Sequence, residues 1–281
     1  MGKVSPELRA KYQDSIKDFK QQIDEIKSLI SIIDKDLKQK QDSKQNYRRV
    51  ILANEYLKII SLYCNMSDVS MELLQIRNEN YLNEARKLIY QVLILFEGIV
   101  SPHVDIPLTE MEDSLKSIEK VNPYRKLSII RKIGHNITRI KDGFGENTKW
   151  KWSFVEIEGR YACVIKNLID YKACQANNDP RKPFYADRNN LLRMTKEQLE
   201  HASKRYREKY ELTSQEPDDI KKSIDYLAAL RRITIMFNEN EEAQNLKKAI
   251  ELYRKQMEIN IKKKERNRAK SRSKGKSKKR R

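Results

Sequence analysis

The sequence predicts an all-α fold, with a long N-terminal heptad helix, an array or bundle of helical hairpins, and a disordered basic C-terminal tail. Only seven glycines and seven prolines occur in 281 residues, whereas a β-rich chain needs a turn about every 8–12 residues. Apolar residues recur at helical spacing in the segments between the turns. The predicted division is 1–45 for the long helix, 46–174 for a central helical domain, 190–260 for C-terminal helical hairpins and 261–281 for the tail.

The first 40 residues carry the most regular apolar pattern. Ser5 and Pro6 predict the start of a helix, as an N-cap and a first-turn proline. Two interpretations fit the pattern: one helix packed along its own bundle, or a coiled coil that forms an oligomer through residues 16–37. The seam has alternating spacings of three and four, as in heptads, and consists of Ile16, Phe19, Ile23, Ile26, Ile30, Ile33 and Leu37.

Four further helices are predicted before residue 142. The first spans about 46–65, and the second spans about 70–100 and is apolar almost all round near its end, which is typical of a central helix. Thr109 and Glu112 form a capping-box pattern for a short third helix. The fourth begins with Asn122 as N-cap and Pro123 in the first turn, and runs to about residue 141.

A glycine-rich corner follows the fourth helix. Gly143 and Gly145 lack the spacing of a phosphate-binding loop, because neither a Gly-Lys-Ser/Thr sequence nor the third glycine of a dinucleotide-binding motif follows. We therefore expect a tight turn between helices, with Asn147 as the next N-cap.

Both tryptophans of the chain come directly after this corner. Trp150, Trp152 and Phe154 alternate as in a strand, and a hairpin over 150–166 is one interpretation. A single helix is the favoured one, because a longer stripe continues at helical spacing. We expect the two tryptophans in the core rather than on a platform that stacks bases or sugars. The stripe consists of Trp150, Phe154, Ile157, Tyr161, Val164, Leu168 and Tyr171.

The C-terminal part predicts helical hairpins. Thr195 and Gln198 form a capping-box pattern that opens a helix to about residue 212, and another helix follows at about 220–237. Residues 223–255 have the length of a tetratricopeptide unit, but they lack the Trp–Leu–Gly–Tyr pattern of that repeat. The segment therefore predicts only a repeat-like α-hairpin.

Cysteine usage and the termini bear on the compartment. Cys64, Cys163 and Cys174 are an odd number without a CxxC pair, which favours a reducing compartment. The N-terminus has no apolar signal region, and the most apolar run, 88–100, is too short to span a bilayer. We expect a cytoplasmic protein without a transmembrane segment.

Catalytic and metal-binding patterns are not found in the sequence. His103, His135 and His201 lie far apart and have no metal partner at helical spacing. The cysteines lack a nearby histidine, which favours buried apolar roles, and no nucleotide loop, hydrolase elbow or metalloprotease motif occurs. We therefore expect no catalytic residue, no cofactor and no bound metal.

The fourth helix is cationic. Residues 122–141 contain six Lys/Arg and no acid, and Arg125, Lys132 and Arg139 form one stripe because seven residues separate each from the next. The stripe is either a solvated face paired with acids of neighbouring helices or a docking surface for phosphate groups or an acidic protein.

The tail is the strongest functional feature. Residues 261–281 contain 13 Lys/Arg and one Glu, against a net charge of +19 for the whole chain. Mutual repulsion predicts disorder when the tail is free. It serves either only to keep the protein in solution or to bind RNA, DNA or an anionic membrane surface by counterion exchange. The candidate residues are Lys262, Lys263, Lys264, Arg266, Arg268, Lys270, Arg272, Lys274, Lys276, Lys278, Lys279, Arg280 and Arg281.

These features predict a non-catalytic scaffold or adaptor. It would dock partner proteins through helix grooves and attach to an acidic or polyanionic partner through the tail. The alternative is an RNA- or DNA-binding or ribosome-associated protein, and the second alternative is an enzyme with an unrecognised site.

Overall fold

The computed structural model describes residues 5–40, 42–146, 148–213 and 215–278, with backbone alone for residues 108 and 265–278. Within these ranges the chain forms helices and no strand, which confirms the predicted all-α class. The helices are α1 Pro6–Gln39, α2 Gln45–Leu74, α3 Glu79–Val100, α4 Leu108–Lys116, α5 Pro123–Phe144, α6 Lys151–Leu168, α7 Tyr171–Ala176, α8 Tyr185–Leu212, α9 Pro217–Met236 and α10 Asn240–Lys278. The chain divides into two compact units, one ending at Thr195 and the other beginning at Lys196. The four-part division from the sequence stays a prediction.

The seam of α1 packs along α2 of the same chain. Ile16, Ile23 and Ile30 are buried in one cluster, and the other seam residues lie half-buried around it. From α2 the cluster takes the buried side chains of Leu52, Ile59 and Met66. This packing corresponds to the first interpretation of the seam, one helix packed along its own bundle, because the apolar area is removed from water within one chain. Oligomer formation through residues 16–37 stays a prediction.

Helix α3, predicted as central, packs against α2, α4, α5 and α6, and α6 packs against α3, α4 and α5. The helix interpretation of the segment that follows Gly145 is therefore confirmed. Phe154, Ile157 and Tyr161 are buried, as their helical spacing predicts. Gly134 of α5 permits the close approach of α6, because a Cβ there would lie only 2.5 Å from the hydroxyl oxygen of Tyr161.

Several helix boundaries differ from the predicted ones. The break between α2 and α3 lies at Gln75, whose φ of 55° is left-handed, whereas the sequence predicted it near residue 66. The sequence did not reveal the break at Gln75, because no glycine or proline marks it. The capping-box prediction for Thr109 is wrong, because Pro107 is the N-cap and Thr109 lies inside α4. The Asn122 cap is confirmed by its side-chain oxygen, which accepts a hydrogen bond of 2.9 Å from the Arg125 amide. The predicted cap Asn147 lies outside the described residues.

The second unit has its own core. Its buried cluster consists of one tyrosine of α8, three aliphatic residues of α9 and two residues of α10. Tyr206 and Tyr226 stack beside it with ring centroids 5.7 Å apart. The predicted α-hairpin of residues 223–255 thus appears as α9 and α10. The cluster consists of Tyr210, Ile220, Ile224, Leu227, Ile250 and Tyr253.

The backbone of α10 continues into the cationic segment. Disorder is predicted from residue 261, whereas the helix extends to Lys278, and residues 279–281 lie outside the described part. The difference has a local cause, since Lys, Arg and Ala are good helix formers even without packing. Disorder in the free protein stays a prediction from charge, because a single helix under mutual repulsion is marginal in water.

Candidate anion-binding surfaces

The predicted stripe on α5 is partly occupied by α2. Arg125 is exposed. The ammonium nitrogen of Lys132 lies 3.2 Å from Asn54 Oδ1. Arg139 donates to Asn65 Oδ1 at 3.1 Å and forms an ion pair with Asp68. An anion at Arg139 would therefore compete with a carboxylate already in place.

Two other cations of α5 contact α6. Lys141 Nζ lies 2.7 Å from the carboxylate of Glu158, which is buried. Lys126 Nζ donates to the carbonyl oxygen of Leu168 at 3.3 Å. The excess of charge in residues 122–141 is thus divided between a solvated face and contacts with α6, which the spacing of the stripe did not predict.

The tail begins on a helix that is fixed to the second unit. The hydroxyl of Tyr253 accepts a 2.9 Å hydrogen bond from Arg207 Nη1, whose guanidinium lies 4.7 Å from the tyrosine ring centroid. Asn260 Nδ2 donates to the hydroxyl of Tyr210 at 2.8 Å. The last packed apolar residue of α10 is Met257. The base of the tail therefore has a defined position on this unit.

Three of the predicted tail residues have described side chains. Lys262 and Lys263 are exposed. Lys264 Nζ donates to the carbonyl oxygen of Gln215 at 2.8 Å and lies 3.6 Å from the carboxylate of Glu216. Lys264 is thus a structural anchor, and the side chains of the predicted residues from Arg266 to Arg281 lie outside the described residues.

The tryptophans form an aromatic and cationic cluster at the start of α6. The prediction that they lie in the core is wrong, because both are only half-buried. The guanidinium carbon of Arg86 lies 3.8 Å from the Trp150 ring centroid, and the ammonium nitrogen of Lys149 lies 5.3 Å from it. Lys151 Nζ lies 4.9 Å from the Trp152 ring centroid. Cations at this range are attracted to the ring face.

Arg86 is held by neutral groups. It donates to Asn83 Oδ1 at 2.9 Å and to Ser153 Oγ at 3.0 Å. Sequence reasoning missed Arg86, because it lies on α3 and reaches Trp150 only through the packing of α3 on α6. The cluster can in principle stack a planar group and neutralise an anion beside it.

The three cysteines are buried, as expected for apolar roles. Burial raises the pKa of the Cys64 and Cys174 thiols to about 11 and that of Cys163 to about 12. They are therefore neutral at physiological pH and poor nucleophiles. In the described part of the chain, no three or more His, Cys, Asp or Glu side chains are grouped as a metal site would need. None of the helices described there has the length and apolarity that crossing a membrane would need.

Fold and surfaces define a class: an all-α protein of two helical units that extends into a strongly cationic C-terminal segment. The chain belongs to the TP0443 family, whose model matches residues 8–261. The match ends where the cationic tail begins. A comparison with curated proteins found no match.

One similar solved structure is a chain described as "Computational Design of Self-Assembling Cyclic Protein Homooligomers". The two chains are 12% identical, and the comparison covers 91% of this chain and 99% of that chain at a TM-score of 0.29. At this TM-score the likeness carries no argument about function or assembly.

Proposed function

We propose that this protein is a non-catalytic helical scaffold that attaches to a polyanionic or acidic partner through its C-terminal tail. The observation that carries the proposal is the course of α10. The helix is packed as far as Met257 and anchored at Lys264, and ten Lys/Arg and one Glu follow in residues 265–281. A fixed base with a cationic extension suits charge tethering, because the composition of the extension offers a core no apolar side chain larger than that of Ala269.

The composition of the extension favours counterion release as the binding mechanism. No aromatic or apolar anchor larger than Ala269 follows Ile261, so neither base stacking nor bilayer insertion contributes. A tail that neutralises six to ten phosphates loses roughly 10³–10⁵ in affinity between 50 and 200 mM salt. Phosphorylation of Ser271, Ser273 or Ser277 would weaken the contact by adding negative charge.

Partner docking is proposed for the helix surfaces of the first unit. An open groove of about 780 Å³ follows the solvent side of α1 between Gln13 and Ser28. Its lining is mostly polar and carries both signs of charge, including Lys17, Lys20 and Asp24. Such a surface suits a non-obligate partner held by complementary charge.

The test compares three proteins: the full chain, a chain ending at Lys264, and the full chain with residues 265–281 replaced by a neutral Gly/Ser sequence of equal length. The probes are labelled poly(U), as a nucleic-acid polyanion, and poly-glutamate, as an acidic polypeptide. Affinities are measured by fluorescence anisotropy at 50 and 200 mM salt. Of the three proteins, we expect only the full chain to bind the polyanions, with a steep loss of affinity at the higher salt concentration.

Scaffolding is tested separately from tethering. Affinity capture with the full chain and with the neutral-tail variant, each with and without nuclease, should recover the same direct protein partner. Equal binding of both polyanions by all three proteins would refute tethering by the tail. Loss of every protein partner on nuclease treatment would refute the scaffold and leave nucleic-acid binding.

The cluster around Trp150 favours nucleic-acid binding as the second candidate function. A half-buried ring beside Arg86 and Lys149 offers a stacking surface for single-stranded bases. The chain has only two tryptophans, both in this cluster, so tryptophan fluorescence excited at a wavelength that tyrosine does not absorb reports on the cluster. Oligonucleotide should quench it in the chain ending at Lys264, and less in the variant with Lys149→Gln and Lys151→Gln. Unchanged fluorescence at saturating oligonucleotide would exclude the cluster as a binding site.

A further inference from the structure

A cavity of about 530 Å³ lies in the first unit, between α4, α5, the α6–α7 junction and the first part of α8. Small-molecule sites in proteins commonly have volumes of about 300–1,000 Å³ and combine apolar walls with a few polar groups. This cavity has both. It takes no part in the proposed scaffold function, and none of the cationic residues named from the sequence as anion-binding candidates lines it.

The apolar wall comes from four elements. Leu115 belongs to α4, Val121 precedes α5, Leu168 ends α6 and Leu191 lies on α8. All four are buried. Ala173 of α7 contributes a small side chain to the lining, which leaves space that a larger residue would fill.

Two cations of the lining form no close ion pair within the described residues, although the charge of Asp170 acts on Lys126. Lys126 donates to the carbonyl oxygen of Leu168 at 3.3 Å, and Arg188 donates to that of Pro183 at 2.7 Å. An ammonium has three donors and a guanidinium five, so both retain donors for a ligand. Burial lowers the pKa of Lys126, so an anion beside it would stabilise its charged form.

Both cations are near the same thiol. Burial raises the pKa of Cys174 to about 11, the charge of Asp170 adds to this rise, and the charges of Arg188 and Lys126 oppose it. Lys126, Arg188 and Cys174 all line this cavity, so a group bound near Cys174 lies in the field of both cations as well as that of Asp170.

Two acidic residues of the lining are already engaged. Glu112 forms an ion pair of 2.7 Å with Lys172. Asp170 caps α7, and its Oδ1 accepts a 2.8 Å hydrogen bond from the amide of Ala173. The third acid, Glu119, is exposed at the rim. The two cations are therefore the donors left for a ligand.

The geometry points to a binding site for a small aliphatic carboxylate, with the carboxylate held by Lys126 and Arg188 and the chain against Leu115, Val121, Leu168 and Leu191. A charge-assisted hydrogen bond between carboxylate and cation is about twice as strong as a neutral one. The apolar wall adds affinity in proportion to the area it covers. Tight binding therefore requires both the carboxylate and the aliphatic chain of the ligand.

The test uses three probes and the full-length protein. Octanoate has head and chain, octanol has the chain alone, and acetate has the head alone. Binding is measured by isothermal titration calorimetry, and the rise in unfolding temperature with ligand is an independent readout. We expect octanoate to bind at least tenfold more tightly than either of the other probes.

Variants locate the site. Lys126→Met and Arg188→Gln should each weaken octanoate at least tenfold, and Ala173→Phe should abolish binding by filling the cavity. The matched control is Arg131→Gln, an exposed cation of α5 outside the cavity lining, which should leave affinity unchanged. Circular dichroism checks the fold of each variant. Arg188 of α8 is half-exposed, so Arg188→Gln still tests the site if a substitution at a more buried position unfolds the protein.

Three results would overturn the assignment. One is no measurable octanoate binding by the full chain. Another is equal affinity for octanoate and octanol, which would show that the cations take no part. The third is equal octanoate affinity in the folded Arg188→Gln, Ala173→Phe and control variants, which would place the binding elsewhere.

Discussion

Phe154 and Trp152 differ in what they contribute, although both belong to the aromatic start of α6. Phe154 is 1% exposed and packs edge-on against Phe144, with ring centroids 6.0 Å apart. Trp152 is half-buried. The sequence predicted a core position for Trp152, whereas the structure buries Phe154 and leaves Trp152 partly exposed.

Phe154→Ala should therefore lower the free energy of unfolding by about 3–5 kcal/mol, as for a buried aromatic residue. Trp152→Ala, as the matched control, should cost clearly less, because part of its ring remains in water. Urea unfolding followed by circular dichroism measures both. Equal losses in the two variants would contradict the half-buried position of Trp152.

Ionisation of the buried Cys64 thiol makes the free energy of unfolding depend on pH. The pKa of Cys64 rises from its ordinary value of 9.0 to about 11 through burial. Between these values the unfolded thiol loses its proton and the folded one keeps it. The free energy of unfolding is therefore unaffected below pH 9 and falls above it, by about 1.4 kcal/mol per pH unit for one thiol.

Cys64→Ala should remove this contribution. Urea unfolding at pH 8, 9, 10 and 10.5 should give a shallower decline for the variant than for the natural protein, whatever the offset between them at pH 8. The remaining thiols and tyrosines titrate in both proteins and cancel in the comparison. Parallel profiles would show that Cys64 ionises in the folded protein as in water.

At the scale of elements, substitutions on the buried and the exposed face of α1 show which face stabilises the fold. Ile23 is 2% exposed in the cluster shared with α2, and Ile32 of the same helix is 64% exposed. Ile23→Ala should cost about 2–5 kcal/mol. The matched change Ile32→Ala should stay within about 0.5 kcal/mol.

Protein concentration separates the two interpretations of the seam. Because Ile23 packs within one chain, Ile23→Ala should lower the free energy of unfolding by the same amount at low and at tenfold higher protein concentration. Urea unfolding at the two concentrations measures this. A loss that grows with concentration would indicate that the seam also holds a second chain.

At the scale of the whole molecule, the cationic extension follows the last apolar residue of α10 that packs on the second core. Apolar packing of α10 ends at Met257, and its polar anchoring includes Lys264. Ending the chain at Lys264 should therefore leave the free energy of unfolding within about 0.5 kcal/mol. A chain ending at Asn245 is the contrasting variant, because it loses Ile250 and Tyr253 from the second core.

Thermal unfolding of both truncated chains measures the difference. The chain ending at Lys264 should unfold at the temperature of the full chain, and the chain ending at Asn245 should lose the transition of the second unit. A lower unfolding temperature for the former at physiological salt would show that residues 265–278 contribute to the fold.

Local spacing was sufficient to identify some of the helices. Asn122 with Pro123 located the start of α5, and the stripe through Phe154 and Tyr161 identified α6 as one helix. These features depend on hydrogen bonds and side-chain directions within a few residues, which a sequence displays directly. The separation of charge between a nearly neutral body and a cationic tail is likewise a property of the sequence alone.

Packing decided the surfaces and the cavity. Arg86 lies over Trp150, and Arg188 lines the same cavity as Lys126, although more than sixty residues separate the members of each pair. Spacing within one helix cannot predict such pairs, because they form where several helices pack together. For the same reason, spacing alone predicted neither which cations of α5 contact α6 nor which aromatic residue at the start of α6 enters the core.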